Sequence, residues 1–285
     1  MEKEKLNFAF WGTPDVASKT LEILKENGYL PSIIITSPDK PRGRKMIITP
    51  PPVKVWAEEN GIPYLQPEKI NQEFIDKLSQ SPVRPVTDHR SDRCQLFVVV
   101  AYGKILSEEL IKMPKLGTIN IHYSLLPKYR GASPVEACLL NGETETGVSI
   151  QQMEYKLDSG PILAEEKVNI DINDTKDILR EKLIKVGGDL LCKILPDIIE
   201  QKIEGKIQNE DKATFCKKIK KEDGEIDPNG NAKENWNKYR AYFGWPGVYF
   251  FKDGKRIKIT KAKYENNSFV IERVIPEGKK EAIWK

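Results

Sequence analysis

An amide and an imidazole stand two residues apart in the stretch Gly117 to Pro127, which reads Gly-Thr-Ile-Asn-Ile-His-Tyr-Ser-Leu-Leu-Pro. Asn120 and His122 fall at the end of a predicted strand, and alternate side chains of a strand project to the same face. Open α/β sheets bind ligands beyond the carboxyl ends of their strands. We therefore expect a hydrogen-bond donor and a titratable base to share one crevice.

A carboxylate that could act on this imidazole follows another predicted strand, Gly147 to Met153. Asp158 lies in the turn Leu157-Asp-Ser-Gly-Pro161, and loops on a rigid scaffold commonly carry functional groups. Together the three groups suit acyl transfer to an amine, because the amide stabilises an oxyanion and the imidazole moves protons. From spacing alone, a histidine at a strand end is more often a structural residue with its own hydrogen bonds, and an Asp-Ser-Gly sequence is usually only a turn.

Other common kinds of site are missing from the sequence. The turn after the first strand, Gly12 to Asp15, is not GxGxxG, and GxxxxGK[ST] does not occur, which argues against dinucleotide and phosphoryl chemistry. The two histidines have no metal-binding spacing, so we expect no metal. The cysteines are far apart and are predicted to be reduced: they are Cys94, Cys138, Cys192 and Cys216.

Continuous apolar runs predict a parallel α/β sheet covered by helices on both faces. The predicted strands are 6–11, 33–35, 96–101, 117–122 and 147–153. Thr13 and Pro14 are predicted to be the cap and first residue of a helix. A long amphipathic helix after Asn173 is expected to kink at Gly187-Gly188 and at Pro196. The fold class is therefore α/β with a Rossmann-like sheet.

The charge of the chain is unevenly distributed. Its 285 residues carry a net charge of +4, but residues 213–285 hold 17 Lys+Arg and 10 Asp+Glu, a net of +7. Short predicted strands and hairpin turns in this part indicate a small β domain. We expect a catalytic domain at 1–204, a linker at 205–212 and a basic domain at 213–285, with residues 79–95 forming an irregular surface loop. Short apolar runs and a charged start without a signal peptide predict a cytoplasmic protein without membrane spans.

Several motifs occur together in order: Gly12-Thr-Pro-Asp-Val-Ala17, Asn120 to Pro127 followed by Lys-Tyr-Arg-Gly-Ala132, Glu145-Thr-Gly-Val148 and Leu157 to Pro161. With these motifs the chain resembles the folate-dependent formyltransferases over nearly its whole length. The resemblance implies a Rossmann-like catalytic domain followed by an OB-like β-barrel, which is shorter here than is usual in the family. It also implies formyl transfer from 10-formyltetrahydrofolate to the α-amino group of methionyl-initiator tRNA.

The resemblance assigns roles to individual residues. Asn120 would bind the formyl oxygen, His122 would handle the amine proton, and Asp158 would orient His122 and stabilise its charged form. The element expected to lie against the folate comprises Ser124, Leu125, Leu126 and Pro127. The expected pterin pocket is lined in part by Val100, Ala101, Tyr102 and Gly103. Tyr123 stands where the family usually has a small residue or proline, so we expect it to alter the folate pocket locally.

A basic loop supplies the expected contact with RNA. Arg42, Arg44 and Lys45 lie in Lys-Pro-Arg-Gly-Arg-Lys, which could be only a solvated charge run, but the resemblance implies that it reaches the tRNA acceptor stem. The basic domain would attract phosphates without reading sequence. We expect a monomer. The alternatives are formyl transfer to a nucleotide-linked amino sugar, hydrolysis of the formyl-folate, and a non-catalytic RNA- or folate-binding relative.

Overall fold

The computed structural model describes residues 6–43, 45–80 and 94–284. The strands are β1 (Phe8–Gly12), β2 (Ile33–Ile35), β3 (Lys40–Arg42), β4 (Ile47–Thr49), β5 (Tyr64–Leu65), β6 (Leu96–Val100), β7 (Thr118–His122), β8 (Arg130–Gly131), β9 (Glu145–Gln152), β10 (Ile162–Asn169), β11 (Phe215–Cys216), β12 (Val248–Lys252), β13 (Lys255–Glu265), β14 (Ser268–Pro276) and β15 (Ala282–Ile283). The helices are α1 (Asp15–Glu26), α2 (Pro52–Glu59), α3 (Gln72–Gln80), α4 (Glu108–Lys112), α5 (Pro134–Leu140), α6 (Lys176–Ile199) and α7 (Ala232–Ala241).

The central sheet has seven strands in the order β10-β9-β7-β6-β1-β2-β5. The strands from β7 to β5 run parallel, and β9 and β10 add an antiparallel edge. The continuous apolar runs give strands that are buried on both faces, such as β1 and β6. The predicted Rossmann-like α/β fold is confirmed, and its parallel strands end at one edge of the sheet, where β7 presents His122.

Helix α6 packs against one face of the sheet beside α1. It is helical from Lys176 to Ile199, including the glycine pair and Pro196, and the expected kink at these positions stays a prediction. A Cβ at Gly187 would lie 3.2 Å from Ile121, and a Cβ at Gly188 would lie 2.7 Å from Ile23. The two glycines therefore allow close packing of the helix on its neighbours. Tyr123 belongs to the hydrophobic core that also contains Ile121 and the buried face of α6. Its side chain therefore lies on the α6 side of β7 and not on the side of His122.

The start of α1 differs from the prediction. The helix begins at Asp15, and the residue that caps it is Pro14, with no side-chain hydrogen bond. Thr13, the expected cap, instead donates its hydroxyl to the Tyr102 carbonyl at 3.2 Å and lies 3.1 Å from the Ser37 hydroxyl. The Thr13 side chain therefore links the loops that follow β1, β2 and β6 and does not cap α1.

The C-terminal part contains a four-stranded antiparallel sheet in the order β12-β13-β14-β15. Its hairpin turns are those expected from sequence, with Asp253, Asn266 and Asn267 at positive φ. Helix α7 docks this part on the catalytic half, because the buried Arg240 donates to the Asp171 carbonyl at 3.2 Å. The confirmed architecture is thus an α/β domain followed by a small antiparallel β domain. The exact division at residues 204 and 212 stays a prediction.

Residues 81–93 of the predicted irregular loop lie outside the described residues. Cys94, which follows them, is buried beside β6. In the described ranges, no helix combines the length and apolarity needed to cross a membrane. Within the same ranges, no three His, Cys, Asp or Glu side chains group as a metal site would require.

Candidate active site

The imidazole of His122 and the carboxylate of Asp158 lie side by side at the carboxyl edge of the sheet. His122 Nδ1 is 3.7 Å from Asp158 Oδ2, and both side chains are largely buried. Their distance is too long for a direct hydrogen bond but within the range of an ion pair. The structure therefore brings together the base and the carboxylate that the sequence placed on separate strands and turns. The carboxylate can stabilise a positive charge on the imidazole in a poorly solvated place.

A backbone contact selects the tautomer of His122. The Nε2 atom lies 2.9 Å from the Tyr129 carbonyl oxygen, and a carbonyl only accepts hydrogen bonds. Nε2 therefore carries the hydrogen and donates it. In the neutral imidazole this leaves the lone pair on Nδ1, the nitrogen that faces Asp158. Nδ1 is thus the atom able to take up a proton.

Asp158 is fixed by hydrogen bonds to both carboxylate oxygens. Oδ2 accepts from the Gly131 amide at 2.8 Å, and Oδ1 accepts from Gln151 Nε2 at 3.0 Å. The backbone of Asp158 has a φ of +47°, a conformation that costs a non-glycine residue energy and marks a tight turn. A Cβ at Gly131 would meet the Cys216 carbonyl at 2.3 Å, so only glycine brings this amide so close. The carboxylate is therefore held in one orientation.

Asn120 lies on the same strand, two residues before His122. It is partly exposed and stands opposite Gln151 of β9 in the sheet register. In the described part of the chain its side-chain amide makes no hydrogen bond to another residue. A partly exposed, uncommitted amide beside a buried base is available to a ligand. Strand β7 contains both Asn120 and His122, so the alternation of side chains places them on the same face, as predicted from their two-residue spacing.

The predicted folate-facing element directly follows β7 as a tight turn. The Leu126 amide donates to the Ser149 hydroxyl at 2.9 Å, and the Ser124 hydroxyl donates to the Lys128 carbonyl at 2.6 Å. Ser124 and Leu126 are buried, whereas Leu125 and Pro127 are partly exposed. The turn is thereby fastened to β9 and leaves Leu125 and Pro127 as its accessible apolar members.

The predicted pterin-pocket residues follow β6, which is the strand next to β7. Val100 ends β6 and is buried, while Ala101 and Gly103 are exposed with positive φ values of +47° and +79°. The Tyr102 ring is buried against Trp11, with the ring centroids 5.3 Å apart. Burial raises the pKa of the Tyr102 hydroxyl well above its ordinary value. These residues border the edge at which Asn120 lies, because Val99 pairs with Asn120.

The basic loop forms a small hairpin of β3 and β4. Arg42 is the last residue of β3, and Lys45 is exposed in the turn that follows. Arg44 lies outside the described residues. Next to Lys45, the side chains of Met46, Ile47 and Ile48 are more than half exposed. The hairpin therefore presents positive charge and apolar surface to solvent.

Three residues near the site were not found by sequence reasoning. Arg130 is fully buried and donates to Gln208 Oε1 and, from Nη2 at 2.6 Å, to Glu210. The pKa of Glu210 falls to about 2 because it accepts hydrogen bonds from Arg130 and then from Lys156. Arg130 lies within the Lys-Tyr-Arg-Gly motif, which gave a signal for importance but none for partners 78 and 80 residues away.

Comparison with known proteins identifies the class of protein that this fold and site define. The formyl transferase family profile matches residues 5–195, and the profile of the formyl transferase C-terminal domain matches residues 218–281. Among relatives, a methionyl-tRNA formyltransferase of Sulfurihydrogenibium sp. is 43% identical over 256 residues, covering 89% of this chain and 79% of the relative. One of Staphylococcus aureus is 39% identical, covering 96% and 85%. The chain belongs to the formyl transferase family, within its methionyl-tRNA formyltransferase group.

Solved structures share the fold at low sequence identity. A Helicobacter canadensis N-formyltransferase, in complex with folinic acid and dTDP-3-aminofucose, has a TM-score of 0.65 and 21% identity, covering 91% of this chain and 89% of that one. The methionyl-tRNA formyltransferase of Clostridium thermocellum has a TM-score of 0.62 and 14% identity, covering 95% and 98%. At these identities the likeness establishes the fold alone.

Proposed function

We propose that this enzyme transfers the formyl group of 10-formyltetrahydrofolate to the α-amino group of methionyl-initiator tRNA. The observation that carries the chemistry is the cluster of Asn120, His122 and Asp158 at the carboxyl edge of the sheet. The observation that favours the acceptor is the identity of about 40% to relatives named methionyl-tRNA formyltransferase. The folate supplies the formyl carbon that the amine attacks.

The three residues have distinct parts in the proposed reaction. The Asn120 amide donates a hydrogen bond to the formyl oxygen as this oxygen gains negative charge, which is where such a donor lowers the barrier. His122 Nδ1 takes the proton that the amine loses and delivers it to the folate nitrogen when the bond from that nitrogen to the formyl carbon breaks. Asp158 stabilises the imidazolium during this interval, at the observed distance of 3.7 Å.

The folate is proposed to lie between the Ser124 to Pro127 turn and the Val100 to Gly103 segment. This placement is supported by the accessible apolar side chains of Leu125 and Pro127 and by the position of β6 next to β7. It sets the formyl group within reach of Asn120, which lies between the two segments. No residue of the cluster needs a metal for these steps.

Product analysis tests the proposal directly. The purified protein is incubated with 10-formyltetrahydrofolate and either methionyl-initiator tRNA, methionyl-elongator tRNA or nucleotide-linked amino sugars, and the formylated product is detected by mass. We expect formylmethionyl-initiator tRNA as the main product. Asn120→Ala and His122→Ala should each lower kcat by about 100-fold or more. Asn229→Ala removes an exposed amide outside the cluster and should leave kcat unchanged.

Other products would redirect the assignment. Preferred formylation of an amino sugar, or release of formate alone, would refute tRNA as the acceptor while leaving the site intact. Absence of any formyl transfer in a single turnover would refute catalysis altogether. Near-wild-type kcat in His122→Ala would refute the role given to the imidazole.

The β3–β4 hairpin is proposed to contact the tRNA through Arg42, Arg44 and Lys45. Exposure of Lys45 at the turn and the charge of its neighbours support this contact. The logarithm of tRNA affinity should fall steeply and linearly with the logarithm of salt concentration, and Lys45→Ala should reduce the slope by about one. Lys115→Ala, an exposed lysine before the opposite end of β7, should leave the slope unchanged. A salt-independent affinity would contradict the proposal.

A further inference from the structure

The segment between the two domains runs along the back of the catalytic cluster. At its start, Lys206 exchanges backbone hydrogen bonds of 2.8 Å with Ile162 of β10. At its end, β11 pairs in parallel with β8. Between these two anchors lie Gln208, whose side chain is buried, and Glu210, which pairs with Arg130. The segment is therefore bound to the catalytic domain at both ends and in the middle.

Gln208 makes the contact nearest to the catalytic carboxylate. Its Nε2 donates to the Gly160 carbonyl at 2.7 Å and to the Asp158 carbonyl at 3.0 Å. An amide nitrogen has two hydrogens, so these two shorter bonds account for both of them, and Gln151 Oε1 lies farther from Nε2, at 3.5 Å. The Gln208 side chain thus holds both ends of the Asp158 to Gly160 segment.

The orientation of the Gln208 amide is fixed from its other end. Arg130 donates to Gln208 Oε1 from Nε at 3.0 Å and from Nη2 at 2.7 Å. Because a guanidinium only donates, Oε1 must face Arg130 and Nε2 must face the turn. Arg130 is itself fully buried, so the amide has one satisfied arrangement.

The turn that Gln208 holds has little intrinsic stability. Asp158 has a positive φ, which is unfavourable for a residue with a Cβ. At Gly160 a Cβ would lie 1.8 Å from the Gln152 carbonyl, so the chain passes β9 too closely for a side chain. A turn with these demands needs external hydrogen bonds to keep one conformation. Without them, the Gly131 and Gln151 hydrogen bonds alone would hold Asp158 at its distance from His122.

We propose that Gln208 is a positioning residue that keeps Asp158 at its working distance from His122. This inference rests on the proposed catalytic roles of His122 and Asp158. Gln208 is not itself a member of the Asn120, His122 and Asp158 cluster. It acts through the turn backbone, through Arg130 and through a longer contact of 3.5 Å from its Nε2 to Gln151 Oε1. The segment between the domains is therefore part of the catalytic apparatus.

A double-mutant cycle tests the inference. Gln208→Ala should lower kcat by about 10-fold, while KM for the formyl donor and for methionyl-tRNA changes little. In an Asp158→Asn background the same change should cause no further loss of kcat, because the residue acts through the lost carboxylate. Asn229→Ala, which removes an exposed amide outside this segment, is the matched control and should retain wild-type kcat in both backgrounds.

A second variant separates the two contacts of Gln208. Gln208→Glu keeps an acceptor for Arg130, which favours folding, but provides no donor to the turn carbonyls. We expect its kcat to fall at least as far as that of Gln208→Ala, with a smaller change in Tm. Wild-type kcat in Gln208→Glu, or multiplicative loss in the double mutant, would overturn the inference. If Asp158→Asn alone retained wild-type kcat, the proposed catalytic assignment would fail instead, so the two failures are distinguishable.

Discussion

Replacing Asp158 by asparagine removes one charge and almost no volume. The Asn side chain can still accept a hydrogen bond from the Gly131 amide, and Gln151 can rotate its own amide to accept from the new nitrogen. At the observed 3.7 Å, a unit charge pair is worth about 4 kcal/mol in a surrounding of effective dielectric about 20. We take about half of this value as the lower bound, because Asp158 is partly exposed. The expected fall in kcat for Asp158→Asn is about 30- to 1,000-fold.

The assay is single-turnover formylation at saturating 10-formyltetrahydrofolate and methionyl-tRNA. KM should change little, because the lost charge acts on the imidazolium that forms during the reaction rather than on bound substrate. Asp189→Asn, which removes an exposed carboxylate from α6, is the matched control. A loss clearly smaller than the lower bound of about 30-fold would refute the electrostatic role of Asp158 derived from this distance.

Three further changes probe the packing around the site. Gly188→Ala should lower the free energy of unfolding by about 1 kcal/mol, because a Cβ 2.7 Å from Ile23 overpacks the helix contact; an unchanged urea midpoint would contradict this. Glu210→Gln should lower Tm at neutral pH, and its deficit should disappear as the pH falls from 4.5 towards about 2, since the lowered pKa stabilises the fold only while the carboxylate is charged. A deficit independent of pH would contradict the ion pairing. Thr214→Val removes the acceptor for the Tyr129 amide, now at 2.8 Å, and should cost about 0.5–1.5 kcal/mol in urea unfolding together with a fall in kcat; wild-type values of both would contradict it.

The sequence indicated the sheet and the strand that carries Asn120 and His122, because apolar runs and side-chain alternation are local features. Continuous apolar runs such as 96–100 are typical of strands buried on both faces, and the structure has them as central strands. The two-residue spacing of Asn120 and His122 required only the alternation of a strand. The hairpin turns at Asp253-Gly254 and Asn266-Asn267 could also be predicted from the sequence, because few residue types readily adopt the positive φ that these turns require.

Features that depend on distant partners were not accessible from sequence. Gln208 lies 50 residues from Asp158, and a single glutamine in an ordinary polar stretch gives no signal. Thr13 has the residue type of a helix cap, but the Tyr102 carbonyl, 89 residues away, receives its hydroxyl instead. The close contacts of the glycine pair in α6 with Ile121 and Ile23 could not be predicted, because a sequence does not show which neighbour lies against a helix.

The anchoring of residues 206–216 changes where the catalytic fold ends. A fragment cut after residue 204, at the expected end of the catalytic domain, would lack Gln208, Glu210 and β11. The turn of Asp158 and the fully buried Arg130 would then lose their partners. Exposed loop tips commonly tolerate insertions, but lengthening or exchanging this anchored segment would act on the proposed catalytic residues. The shortest fragment expected to keep the geometry of the site therefore extends at least to Cys216.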